Sequence, residues 1–322
     1  MIAILIVALA AGAASALMFA SISSGALISI LLFYLSPLPI MVAAFGWGPL
    51  AAAIGGVGAA SVLGAIFGLP YSIAFAMMVA VPGWWRGHLA LLGRPLAGAA
   101  GDGATQQPPA LEWYPVGRIL LWIAAFAVIT TTATLLTLGA DTDTITAALR
   151  RGLLKVLSAG DGQGSVEIER LVDMLVILAP LAATILSMVT LTLNLWLAGK
   201  ITQTSGRLNR PWPELRSTAL PSMTLVALLV AAALSFVGGM LALLAQIVTA
   251  ALVIGYALVG FAVLHTLTLS LNSRGFWLGG IYAVVVMFGW PIVAIFALGI
   301  ADAVFGLRQR YLQTRPPPLP AA

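Results

Sequence analysis

Two histidines, no cysteines and ten acidic residues in 322 leave little from which an active site could be assembled. His88 and His265 lie far apart in the chain, so neither completes a helical His-x-x-x-His metal pair, and the lack of cysteine removes thiolate ligands and nucleophiles. The glycine run Gly55-Gly56-Val57-Gly58 sits inside an apolar stretch. A phosphate-binding loop would need it between a strand and a helix. Polar side chains within the apolar runs are Tyr34, Tyr71, Asn194, Gln246, Tyr256, His265 and Asp302. Asn194, His265 and Asp302 fall near run ends, where water or headgroups can satisfy them, while Gln246 and Tyr256 lie deeper and are expected to bond across helices. No second ionisable group stands within the runs to complete a proton relay. Arg86 and His88 beside Trp84-Trp85 fit either a headgroup site or simple interfacial anchoring.

Backbone chemistry is more suggestive. In Leu35-Ser36-Pro37-Leu38-Pro39-Ile40 two prolines remove two amide donors and interrupt a helix. Irregular backbone at membrane depth must be buried in protein or line a cavity. Pro37 and Pro39, with Tyr34, Gln246 and Tyr256, are therefore the candidate ligand-binding residues; a plain kink is the other reading. Small residues recur every fourth position at Ala8, Gly12, Ala16 and Ala20, and again at Ala52, Gly56, Ala60, Gly64 and Gly68. Such stripes let helix backbones approach closely, either inside one bundle or against another membrane subunit.

The elements that position these residues follow from composition. The chain is 61% hydrophobic and 8% charged, against roughly 25% charged in soluble domains. Its expected partner is the lipid bilayer. The fifteen Lys and Arg are scattered through loops and form no long basic stripe, which argues against nucleic acid, and nothing calls for a cofactor. The expected fold is all-α, a polytopic transmembrane helical bundle. Residues 1–85 hold four spans (about 2–20, 25–45, 48–68 and 70–85), and 86–116 form a flexible, cytoplasmic Gly/Pro/Gln-rich linker. Residues 117–304 hold the remaining spans, with an amphipathic interfacial helix at 141–159 whose apolar face is Ile145, Leu149, Leu153, Val156 and Leu157. Residues 305–322 form a basic, Pro-rich tail.

The N-terminal run is long enough to span and lacks a preceding basic residue, so it is read as a helix despite the cleavage-like Ala14-Ser15-Ala16. The 199–221 loop carries Lys200, Arg207, Arg210 and Arg216 against Glu214, which places it and the N-terminus in the cytoplasm. Three further apolar stretches, 222–238, 241–270 and 276–303, would then leave Arg308, Arg310 and Arg315 outside, against the same rule. Either 222–238 is re-entrant or Pro291 breaks the last stretch. Eight or nine spans are expected.

Ser36-Pro37-Leu38-Pro39-Ile40 followed by Phe45-Gly46-Trp47-Gly48-Pro49 resembles the opening of the YybS-like family of bacterial membrane proteins. Gly260 through His265 and Gly299 to Asp302 with Arg308 and Arg310 resemble its close. That family is similar, more distantly, to the substrate-binding S components of energy-coupling-factor transporters, in which an alanine-rich first helix docks a coupling subunit. The resemblance implies a multi-pass protein of the bacterial inner membrane that binds a small molecule and docks a membrane subunit, with Ala8, Gly12, Ala16 and Ala20 matching the docking stripe in spacing. The expected function is a solute-binding or transport component; the alternative is a non-transporting scaffold or envelope-assembly protein. No enzyme activity is expected.

Overall fold

A computed structural model of the protein describes residues 1–95, 111–157 and 166–313, and through them the chain is an all-α helical bundle. Helices dominate because an apolar segment away from water can satisfy its backbone polar groups only internally. In chain order they are α1 (Ile2–Ala20), α2 (Leu27–Leu35), α3 (Leu38–Trp47), α4 (Pro49–Phe67), α5 (Leu69–Phe75) and α6 (Val81–Ala90). There follow α7 (Val116–Leu136), α8 (Thr142–Leu157), α9 (Val166–Thr204), α10 (Met223–Leu234), α11 (Gly239–Leu267), α12 (Arg274–Phe288), α13 (Ile292–Phe305) and α14 (Leu307–Gln313). Among the described residues six helices are long and apolar enough to cross a membrane, or seven if the bent pair α13–α14 is one span. The eight or nine spans expected from sequence are not all present as full-length helices, because α10 and α12 are short, the 70–85 stretch is divided among α5, the 76–80 turn and α6, and the 276–303 stretch is broken.

Within the expected 86–116 linker, residues to Ala90 are still helical, and Gly93–Pro95 pairs antiparallel with Leu111–Trp113. The Gly/Pro/Gln-rich centre of that linker, the last two positions of the 141–159 stretch and the tail beyond 313 lie outside the described residues. The chain divides into two compact units, Met1–Thr130 with Leu186–Pro213, and Thr131–Ile185 with Glu214–Ala322.

In the first unit α1 crosses α4 with backbones in contact. A Cβ on Gly12 would stand 2.2 Å from the Gly55 carbonyl oxygen, and one on Gly55 would stand 2.4 Å from that of Ala8. The second stripe faces the chain that follows it. Gly56 lies against Ala80, the Ala60 carbonyl accepts the Ser72 hydroxyl at 2.7 Å, and Gly64 abuts the Ser72 side chain. Ala16 and Ala52 are buried in one core with Phe19, Ile40 and Phe75, and Ala20 packs at its edge. Gly68 is exposed and stands apart, its φ of +92° making the turn into α5. Both stripes are thus contact surfaces inside the unit. The α5–α6 connection, 76–80, is a π turn. Such a bulge is a common response to proline, and Pro82 lacks the amide that the Met78 carbonyl would otherwise accept.

In the second unit α13 crosses α11 by the same device. A Cβ on Gly260 would meet the Ile295 carbonyl oxygen at 1.9 Å, and one on Gly299 the Tyr256 carbonyl oxygen at 2.1 Å. The end of α11, the start of α12 and the end of α13 gather together: Arg274 donates to the His265 carbonyl at 3.1 Å, and Ser270 shares a hydrogen bond with Tyr311 at 2.9 Å. The start of α10 joins them, because Ser222 and Leu225 line one cavity with Thr266, Leu269 and Leu312. The chain therefore leaves this end in α10, returns in α11, leaves in α12 and returns in α13.

That path brings the described part of the tail to the same end of the unit as the 216–218 loop. The last apolar stretch is two legs, broken at Gly289-Trp290-Pro291 where Gly289 takes φ +70°. Arg308 and Arg310 accordingly share an end with Arg216 and Arg274, and the turns at the other ends, 235–238 and 289–291, carry no charge. The α12 leg has no buried residue, and Phe276, Trp277, Val286, Met287 and Phe288 are exposed along it, a surface suited to lipid.

The amphipathic helix is α8. The Asp141 carboxylate accepts the Thr144 amide at 2.9 Å and the Thr144 hydroxyl, and these bonds hold its pKa below the usual carboxylate range. Ile145 is buried, and Arg150 pairs with Asp173 on α9. Val156, on the expected apolar face, is 73% exposed.

Candidate functional site

The second unit holds a cavity of about 770 Å³, within the size range of small-molecule sites. Leu225, Tyr256, Val259 and Leu269 give it an apolar wall, and Ser222, Thr266 and Gln309 place polar groups around it. Glu214 and Arg216, both exposed, add charge at its rim. Tyr256 is fixed by burial (2% exposed) and by an edge-on contact with Phe296, ring centroids 6.5 Å apart.

One wall is held by an ion pair that local pattern does not announce. α13 ends at Gly306, whose φ of +63° is a left-handed helix cap. The turn brings Arg308 back over Asp302, which accepts from the arginine Nε at 2.9 Å, from Nη2 at 2.7 Å and from the Arg308 amide at 2.9 Å. The remaining Nη1 donates to the Arg216 carbonyl and, at 2.9 Å, to that of Thr218. Four of the five guanidinium N–H groups of Arg308 are therefore engaged, and its charge is paired with Asp302. It staples the 216–218 loop to the end of α13. Asp302, expected to meet water or headgroups at a span end, is buried and paired instead.

The other sequence candidates fall in the first unit. The break between α2 and α3 forms where expected, but its freed carbonyls find protein partners. Pro37 cannot donate to the Phe33 carbonyl, which accepts the Ser36 amide at 3.2 Å and the Ser36 hydroxyl at 2.7 Å. The Tyr34 carbonyl accepts the Asn194 side-chain amide at 2.8 Å. Asn194 also donates to Thr190, and it is fully buried where an interfacial position was expected. Pro37 is buried and Pro39 occupies the first turn of α3. The Phe33 and Tyr34 carbonyls at the break are thus met by protein groups, and Tyr34, Pro37 and Pro39 are not among the residues that line the cavity. Gln246, half-buried on α11, is not among the cavity-lining residues, and Tyr256 alone of the candidate set reaches the cavity. Replacing Asn194 by leucine should strand the Tyr34 carbonyl and lower stability by about 1 kcal/mol in detergent unfolding. An unchanged midpoint would mean that water reaches the break.

In the last turns of α9 and just beyond it, cations lie on aromatic faces. Lys200 stands 4.0 Å from the Trp212 ring centroid, Arg207 4.7 Å from that of Trp47 and Arg210 5.8 Å from that of Trp113. Arg210 also donates to the Ala90 carbonyl at 3.0 Å, and burial lowers its pKa. These contacts anchor the 205–213 segment at the mouth of the helices, the placement an interfacial aromatic belt favours.

No protein-family model matches the chain, and no match is found among curated proteins or among solved structures.

Proposed function

We propose that the chain is a multi-pass protein of the bacterial inner membrane that binds an amphipathic solute, acting as a solute-binding or transport component. The observation that carries this reading is the cavity of about 770 Å³, with an apolar wall at Leu225, Tyr256 and Val259 beside the polar groups of Ser222, Thr266 and Gln309. A ligand with an apolar body and a polar end matches that lining. Arg216, Arg274, Arg308 and Arg310 gather at the cavity end, so the positive-inside rule supports a cytoplasmic opening. No catalytic role is assigned to any residue.

The resemblance of residues 36–40, 45–49, 260–265 and 299–302, with Arg308 and Arg310, to the YybS-like family supports the same reading. Beside the six full-length spans, α10, α12 and α13 are shorter apolar helices. At about 1.5 Å per residue, α10's 12 residues reach only ~18 Å of a ~30 Å hydrocarbon core. α10 and α13 would serve as partial crossings that line the cavity, and α12 as one that faces lipid.

Native mass spectrometry of the protein extracted in mild detergent tests the proposal. A retained small molecule is expected with the unaltered chain, and its loss with Val259→Trp, which fills the cavity from a buried wall position. An unaltered chain that retains nothing, or a molecule that survives Val259→Trp, would favour the scaffold reading.

A further inference from the structure

Arg86 is the most costly side chain in the first unit. It is fully buried, the largest side chain to be so. Its Nε donates to the Pro82 carbonyl at 2.7 Å and its Nη1 to the Leu191 carbonyl at 2.8 Å. Both acceptors are neutral. The Nη2 group has no partner, and among the described residues no carboxylate pairs with this guanidinium.

A buried arginine without a counter-charge costs several kcal/mol relative to water, and intramembrane cations are normally paired or face a watery cavity. Arg86 does not take the cheaper route of reaching toward the helix end. α6 finishes at Ala90, yet the guanidinium bonds one turn back, at Pro82. The helix is held close to α3 there, with Gly83 against Ile40 and Gly87 against Ala44, so no titratable group approaches from that side. The preceding residue repeats the pattern: the Trp85 indole nitrogen is buried and also has no acceptor. His88, the remaining titratable side chain on this turn, stacks on Trp84 at 6.1 Å between ring centroids.

The unsatisfied groups on these two successive residues are both N–H donors, and one of them belongs to a fixed positive charge. Water could accept those bonds but would leave the charge uncompensated; an oxyanion answers both needs, and the planar guanidinium fork matches a phosphate. We propose that Arg86 is the centre of an anion site in the first unit that takes a phosphate group, and that a bound phosphate completes the packing of α6 on α9. The site is separate from the cavity of the second unit and does not depend on it. Two sources share this chemistry, a phospholipid headgroup and free phosphate.

Thermal unfolding of the full chain in dodecyl maltoside separates them. Dioctanoyl phosphatidylglycerol, compared with dioctanoylglycerol, and inorganic phosphate, compared with chloride at equal ionic strength, are the probes. At least one is expected to raise the midpoint saturably, by about 3 °C or more. Stabilisation by the lipid alone identifies a headgroup, and by phosphate alone the free ion. Arg86→Gln should abolish the increment and Arg86→Lys keep part of it. Should Arg86→Gln fail to fold, native mass spectrometry of the unaltered protein decides: one retained phosphate or phosphatidylglycerol per chain supports the site, and none overturns it. No shift with either probe, or a shift that survives Arg86→Gln, overturns it as well.

Discussion

Arg308→Ala should lower the stability of the protein by about 3–5 kcal/mol, because it leaves Asp302 buried, charged and without its partner. The side chains of Arg308 and Asp302 are only 11% and 7% exposed, so solvent screens the pair little. Three hydrogen bonds to the Asp302 carboxylate involve Arg308, and two more from the same guanidinium hold carbonyls 216 and 218. Truncation therefore releases the loop as well as the charge. Thermal unfolding in detergent reads the first effect, and tryptic cleavage at exposed Arg216 the second. The double variant Asp302→Asn with Arg308→Gln should be less damaged than Arg308→Ala, since neither residue then buries a charge. An Arg308→Ala protein within about 1 kcal/mol of the parent would show that water already shares the pair.

Gly260→Val should be comparably severe, by about 3 kcal/mol or more, through overpacking. Even the first carbon of a side chain would lie 1.9 Å from the Ile295 carbonyl oxygen, a backbone atom that cannot rotate away. α11 and α13 would have to separate along their whole contact, which also reshapes the cavity, since Tyr256 and Val259 precede Gly260 and Asp302 follows Gly299. Gly280→Ala on α12 is the control: a Cβ there meets nothing within 4 Å, so the change should be neutral or slightly stabilising through helix propensity. Equal damage from both would place the effect in helix propensity and not in the crossing.

The apolar runs and the proline break were legible because they depend on local composition and covalent chemistry. Residue type and period mark a stripe such as Ala8 and Gly12, but not the surface it meets. Its counterpart on α4 is Gly55, one position out of register with the stripe at Gly56, so that one helix uses adjacent positions for two different neighbours. Asn194, Asp302 and Arg86 were placed at span ends because a linear reading measures distance to the nearest loop. Their partners come from elsewhere, Tyr34 for Asn194 and Leu191 for Arg86, with the Gly306 turn folding Arg308 onto Asp302. The split of the final apolar stretch was half-visible in Pro291. What fixed it was the pairing of Arg308 with the 216–218 loop, a contact between residues far apart in the chain.

The absence of cysteine makes the membrane path directly measurable, because any introduced thiol is unique. Single cysteines at Ser217, Asn272 and Gln313 sample the charged end of the second unit, and one at exposed Val237 samples the turn between α10 and α11. With a membrane-impermeant maleimide on sealed inner-membrane vesicles of known orientation, the first three should label together from the cytoplasmic face and Val237→Cys only from the opposite face. Labelling of Gln313→Cys from the side of Val237→Cys, or of all four from both sides, would contradict the account.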